Sequence, residues 1–181
     1  NNIIEYIQKY IVAVIKLAVK TNAKIIHGVS NYWNGLAAMY AAKYLGLKSV
    51  YEMRGFWDES ITINKNDIKG TNLIKLMKDQ EERIINHVDK VIVMNDVMKD
   101  EVLKISEDKN KISVIYDCVD VNRFCKNDVT RTELRDKYNI SSDTIVIGYI
   151  GSIVNYQGIE YLLECTKALI EKENKVNQSL S

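Results

Sequence analysis

The chain has 181 residues, enough for one good core or the pieces of two. Its 25 lysines and arginines nearly cancel its 24 aspartates and glutamates, so charge makes no case for nucleic acid or an anionic membrane surface. Cys118, Cys125 and Cys165 are an odd number without metal-type spacing, and His27 and His87 lie far apart; this excludes a disulfide framework and a His-rich metal site and fits a reducing cytosol.

Residues 3 to 19 are the most hydrophobic stretch. Ile3, Ile7, Ile11, Val14, Ile15 and Ala18 share one helical face, and Glu5, Lys9, Lys16 and Lys20 interrupt another. A spanning helix needs about 20 apolar residues, so this segment reads as a buried amphipathic helix. The run has no basic leader, so no signal peptide is expected. The chain opens on Asn1 rather than Met and holds no proline, which suggests a fragment without proline punctuation between domains.

Five short apolar runs read as strands: Lys24 to His27, Ser49 to Met53, Lys90 to Met94, Ile112 to Tyr116 and Ile145 to Ile150. They are rich in Val and Ile and nearly continuous, which predicts strands covered on both faces, as in a parallel sheet. Helical spacings lie between most of them: Leu36, Met39, Tyr40 and Tyr44; Leu73, Met77, Ile84 and Val88; Met98, Val102 and Ile105. Alternation of strand and helix predicts an α/β, Rossmann-like parallel sheet with flanking helices. Gly46 suits a helix end, Asn95 and Asp96 a helix start, and Thr130 with Glu133 a capping box. The polar segment 117 to 128 breaks the rhythm and reads as a linker between two such units.

Ligands of open α/β sheets sit beyond the carboxyl ends of the strands. That rule selects His27, Ser30, Asn31 and Gly35 after the first strand. It selects Arg54 and Gly55 after the second, Asn95 and Asp96 after the third, and Gly151 and Gly158 after the fifth. The stretch "YIGSIVNYQG" is a glycine-rich turn into a helix, but it is neither a P-loop nor a dinucleotide fingerprint.

Four segments then stand in a familiar order: "HGVSNYWNGLAAMYAAKYLGLKSVYEMRGFWDE", "VDKVIVMND", "KISVIYDCVDVNRF" and "VIGYIGSIVNYQGIEYLLE". Together, over about Ala23 to Leu169, they resemble the family 4 glycosyltransferases, retaining enzymes of the GT-B fold that use nucleotide sugars. The resemblance implies a partial GT-B: residues 1–120 from the acceptor-side domain, 121–128 an interdomain linker, and 129–181 the first β-α unit of the nucleotide-sugar domain. It implies a nucleotide-diphosphate sugar as donor and a glycan or lipid-linked acceptor, with no metal and no cofactor. The expected place is the cytoplasm, peripheral association with the inner face of the membrane included. The sequence sets no oligomeric state.

The same resemblance assigns substrate binding to His27, Ser30, Asn31, Arg54, Gly55, Glu59 and Asn95. It assigns the donor phosphates to Gly151, Ser152, Gln157 and Gly158. Arg54 stands where many relatives place a histidine. A guanidinium there would hold an acceptor hydroxyl or a donor phosphate, with Phe56 or Trp57 stacked on a sugar ring and Asp58 or Glu59 on hydroxyls. The alternative pairs Arg54 with Glu52 or Asp58 and leaves the aromatics covering the sheet edge. Ser30, Asn31 and Asn95 also suit turns and helix caps, His27 a structural group, and Trp33 and Trp57 packing.

The departures bear on activity. Many relatives carry cations where this chain has Ser152 and Gln157, and cations there neutralise a diphosphate leaving group. Tyr116-Asp117-Cys118 replaces a Pro-Asn-Gly turn. The sequence runs about thirty residues beyond Gly151, short of the family's paired glutamates. It also lacks room before Lys24 for the family's first strand and glycine-rich loop. No catalytic residue is therefore assigned, and the 181 residues alone are expected not to turn over. A catalytically inactive binding or scaffold module is the second reading. A GT-B epimerase is a third, and it would place carboxylates and a histidine at motifs not found here.

Overall fold

A computed structural model describes residues 3–64 and 71–179. Its elements are α1 (Ile3–Lys20), β1 (Ile25–Val29), α2 (Tyr32–Leu45), β2 (Lys48–Met53), α3 (Trp57–Asn64), α4 (Asn72–His87), β3 (Lys90–Val93), α5 (Asp96–Ile105), β4 (Ile112–Val114), α6 (Asp128–Lys137) and α7 (Ile159–Ser179). The chain divides into two compact units, Asn1–Asp117 and Cys118–Ser181.

The first unit carries a four-stranded sheet in the order β1-β2-β3-β4. All three pairings are parallel, with Val29 opposite Glu52, Met53 opposite Val93, and Val93 opposite Val114. Right-handed crossovers that all step the same way stack their helices on one face of a sheet. The core records this. Tyr51, Met53, Val91, Val93 and Ile112 from the strands pack with Leu36, Met39, Met77, Ile84, Ile85 and Val102 from α2, α4 and α5.

The other face differs from the expectation of strands covered on both sides. Burial alternates along β2 and β3: Ser49, Tyr51, Met53, Val91 and Val93 are buried, whereas Val50, Glu52 and Ile92 are only half-buried. His27 and Ser113 are exposed on that same face. The runs are apolar enough for two covered faces, but the topology supplies helices to one.

A second cluster seats α1. Ile11, Val14, Ile15 and Ala18 pack on Ala38, Ala41, Ala42 and Ile26. The alanines of α2 leave room for the second helix to approach. Glycine does the same for the sheet: a Cβ at Gly28 would stand 2.6 Å from the backbone oxygen of Asn34 and 2.9 Å from the Ala38 side chain.

Caps bound the helices. Asn31 and Asn95 cap α2 and α5 through their side chains, and Gly46 closes α2 in the left-handed region at φ 67°. In the second unit the expected Thr130 capping box is corrected. Asn127 is the N-cap of α6, accepting from the Thr130 N–H at 3.0 Å, and Thr130 itself lies inside the helix. The expected fifth strand is corrected as well. Residues 145–150 are irregular, with Ile145 87% exposed. A strand needs a neighbour for its backbone groups, and no strand forms among the described residues of this unit.

The packing of β1 on α2 has a direct consequence. Gly28→Ala forces a methyl against backbone that has no rotamer to yield, so stability in urea should fall by about 2 kcal/mol. An unchanged midpoint would contradict the close approach.

Candidate functional site

At the exit of β1 the chain turns through Ser30, a non-glycine residue at φ 86°. That conformation is disfavoured for a residue with a Cβ. Three hydrogen bonds hold it. The Ser30 N–H donates to the Glu52 carbonyl at 2.9 Å, the Tyr51 hydroxyl donates to the Ser30 carbonyl at 2.6 Å, and the Trp57 indole N–H donates to the Ser30 hydroxyl at 3.1 Å. Asn31 next to it accepts from the Asn34 N–H at 3.4 Å, and the Asn34 amide donates to the Val29 carbonyl at 2.7 Å. Ser30 and Asn31 thus stand at the rim expected of them, with their polar atoms engaged in building the corner.

On the open face beside that corner runs a string of charges. His27 Nε2 lies 3.2 Å from one Glu52 oxygen, and an Arg54 terminal nitrogen lies 2.8 Å from the other. The second terminal nitrogen of Arg54 reaches both Asp117 oxygens at 3.1 and 3.2 Å. The Glu52 side chain is 19% exposed, against 43% for Arg54 and 62% for Asp117, so the string opens progressively toward solvent. Arg54 is held still more firmly protonated, first by its hydrogen bond to Glu52 and then by the charge of Asp117. Two carboxylates against one guanidinium leave an excess negative charge when His27 is neutral.

Arg54 pairs with Glu52, one of the two partners expected for it, and with Asp117. Asp58 instead is buried and meets the Lys78 ammonium at 3.3 Å. Phe56 packs against the main core, and Trp57 braces Ser30. Gly55 has open space where a Cβ would stand, and Glu59 is exposed on the first turn of α3. At the next strand exit, Asn95 accepts from the Met98 N–H at 2.8 Å, and Asp96 accepts from the Tyr116 hydroxyl. The structure therefore brings His27, Ser30, Asn31 and Arg54 to one rim, with Asn95 at the following exit of the same sheet.

Gly151, Ser152, Gln157 and Gly158 belong to the second unit. They lie in the turn that leads into α7. The Ser152 carbonyl accepts from the Tyr149 hydroxyl at 2.9 Å, and Gly158 takes the left-handed conformation at φ 65°.

Three participants were not among the sequence candidates. Asp117 lay in the segment read as a linker. Tyr51 lay within the expected second strand, and its ring is fully buried. Glu81 had a visible signal: it is an acid on the buried stripe of α4, between Met77 and Ile84, and it is 7% exposed. Its carboxyl is 2.5 Å from the Tyr51 hydroxyl. Burial first, then the charge of Asp58, pushes Glu81 up to about 7 against the opposing pull of that hydrogen bond. Burial and Glu81 push the Tyr51 phenol up too.

Cavities flank this unit among the described residues. One of about 250 Å³ lies along β1 and includes His27, Tyr10, Val14 and Asn34. Another of about 380 Å³ lies at the opposite end of the strands, lined by Tyr40, Lys43, Arg83 and His87.

Comparison with known proteins gives the family context. A family model described as Glycosyltransferase Family 4 matches residues 3–123. The chain is also similar to the D-inositol 3-phosphate glycosyltransferase of Actinosynnema mirum, at 29% identity over 94 residues. That match covers 51% of this chain and 22% of the relative, so the chain spans about a fifth of that protein's length.

The buried carboxyl makes stability depend on pH. Unfolded, Glu81 releases its proton near 4.5, whereas the folded protein keeps it to about 7. The folded state binds more protons in that window, so stability is fully present below 4.5 and falls as pH rises to about 7, by roughly 3 kcal/mol from this group. Urea unfolding at the two ends of the window checks this; Glu81→Gln should remove most of the difference. Asp89, held low chiefly by Lys48, acts at more acid pH.

Proposed function

The chain belongs to glycosyltransferase family 4, and on that premise we propose that its sheet-bearing unit presents the acceptor in a retaining sugar transfer. The family assigns glycosyl transfer between a sugar donor and an acceptor. The finer reading is that the donor is a nucleotide-diphosphate sugar and the acceptor a glycan or lipid-linked glycan. The observation that carries it is the string His27–Glu52–Arg54–Asp117 at the carboxyl edge of the sheet.

The chemistry of that string suits hydroxyl groups. Carboxylate oxygens accept hydrogen bonds from hydroxyls, and Arg54, fixed on both sides, sets the spacing between Glu52 and Asp117. The excess negative charge favours an uncharged sugar face over an anionic one. Arg54 acts here as a positioner of two acceptors more than as a phosphate ligand, because both its terminal nitrogens are engaged. His27 places Nε2 3.2 Å from Glu52 and adds a further polar ring beside the string.

The donor diphosphate is assigned to the turn of Gly151, Ser152, Gln157 and Gly158, and the reaction needs no metal or cofactor in this reading. The protein works on the cytoplasmic side, at the inner face of the membrane. No helix among the described residues is long and apolar enough to cross a membrane. Exposed Val12, Leu17 and Val19 on α1, beside Lys16 and Lys20, suit a membrane–water boundary. Residues 1–120 and 129–181, joined by 121–128, are the acceptor and donor portions. A second reading, an inactive binding module, is favoured by one observation: Ser152 and Gln157 bring no charge to a leaving diphosphate.

Incubation of the intact protein with nucleotide-diphosphate sugars and hydroxyl acceptors, reading nucleoside diphosphate release together with acceptor glycosylation, tests the proposal. Arg54→Ala should lower transfer at least about tenfold with an unchanged circular dichroism spectrum. An unaltered rate contradicts the role of the string. Nucleotide binding without transfer selects the inactive module.

A further inference from the structure

We propose that Glu81, in its protonated form, is a positioning residue that fixes the Ser30 corner through Tyr51, and that loss of its proton releases the corner. Only the functional half rests on the acceptor-site reading; the structural half stands without it.

The Tyr51 oxygen lies within hydrogen-bond distance of two oxygens, the Ser30 carbonyl at 2.6 Å and the Glu81 carboxyl at 2.5 Å. A phenol has one proton and a carbonyl has none. Two hydrogen bonds need two protons, and the second belongs to Glu81. The chain of donors therefore runs from the Glu81 carboxylic acid to the Tyr51 oxygen, and from the Tyr51 hydroxyl to the Ser30 carbonyl.

Deprotonation redirects this chain. One phenolic proton then faces a neutral carbonyl and a carboxylate, and the charged acceptor forms the stronger bond. The proton turns to Glu81, and the Ser30 carbonyl loses its donor. Ser30 sits at φ 86° because its three polar groups are tied. Cutting one tie loosens the others, including the indole of Trp57 on the Ser30 hydroxyl.

The surroundings place the exchange near neutral pH. Tyr51 faces Glu81 from β2 and Asp58 faces it from α3. Lys78, on Glu81's own helix, is committed to Asp58 at 3.3 Å. Burial and the Asp58 charge hold the proton on Glu81 up to about 7.

The test follows the Trp57 indole N–H and the Ser30 amide by nuclear magnetic resonance of the 181-residue protein between about pH 5.5 and 9. Both should move together with one midpoint near 7. Glu81→Gln keeps a donor toward Tyr51 and should hold the low-pH positions throughout. Tyr51→Phe should show the loosened positions throughout, and His27→Gln should keep the titration. A midpoint that persists in Glu81→Gln, or resonances that never move, overturns the proposal. Should Glu81→Gln not fold, the infrared carbonyl band of a carboxylic acid decides. A band present at about pH 6 and lost by about 8.5 supports the proposal, and its absence at pH 6 overturns it. In a transfer assay of the intact protein, the KM for acceptor should rise about tenfold between pH 6.5 and 8.5 with kcat little changed, and stay flat in Glu81→Gln. A titrating corner with a pH-independent KM overturns the functional half. An intact protein that transfers no sugar at any pH defeats the acceptor-site reading, while the resonances still decide the corner.

Discussion

One phenolic oxygen joins the parts of this unit that matter for its rim. Tyr51 lies on the covered face of β2, fully buried, and its hydroxyl ends between the carboxyl of α4 and the backbone that leaves β1. The ring fits only because α2 presents a glycine to it: a Cβ at Gly35 would stand 3.0 Å from the Tyr51 ring and 2.9 Å from Ile84. With Tyr51 in place, Ser30 holds a conformation that serine avoids, and the exits of β1 and β2 are locked side by side. The open face then follows from register. Val29 opposite Glu52 brings His27 and Glu52 to neighbouring strands, and Arg54 follows directly where β2 ends.

The charges at this rim are arranged against one another before any substrate arrives. Glu52 is shared between an imidazole and a guanidinium, and Arg54 is shared between two carboxylates. Such an arrangement holds hydrogen-bond acceptors at a set spacing, which is what a ring of hydroxyls needs. The turn of Gly151 to Gly158 has the opposite character: a backbone turn into α7 whose candidate residues carry no charge.

Much of the first unit was legible because its signals are local. Four apolar runs became β1 to β4, and Asn31, Asn95 and Gly46 bound helices as their side chains or their lack of one dictate. The misses are long-range. The run from Ile145 to Ile150 has the composition of a strand, but a strand is a property of a pair, and it finds no partner among the described residues. Apolar content in β2 and β3 did not reveal that one face stays open, since that depends on the direction of three crossovers. Thr130 looked like a cap until Asn127, three residues earlier, took the position. Asp117 joins Arg54 across 63 positions of sequence, and no pattern within either segment announces it. Glu81 was different: an acid between Met77 and Ile84 on a buried stripe is itself a signal that something must hold its proton or its charge.

The central claim is that hydroxyl-rich ligands bind at the carboxyl edge of this sheet, over the His27 to Asp117 string. Backbone amide shifts during titration with a neutral oligosaccharide test it most directly. The account expects the largest changes at Ser30, Asn31, Arg54 and Gly55. Changes concentrated at Tyr40, Lys43, Arg83 and His87, around the cavity at the far end of the strands, would contradict it.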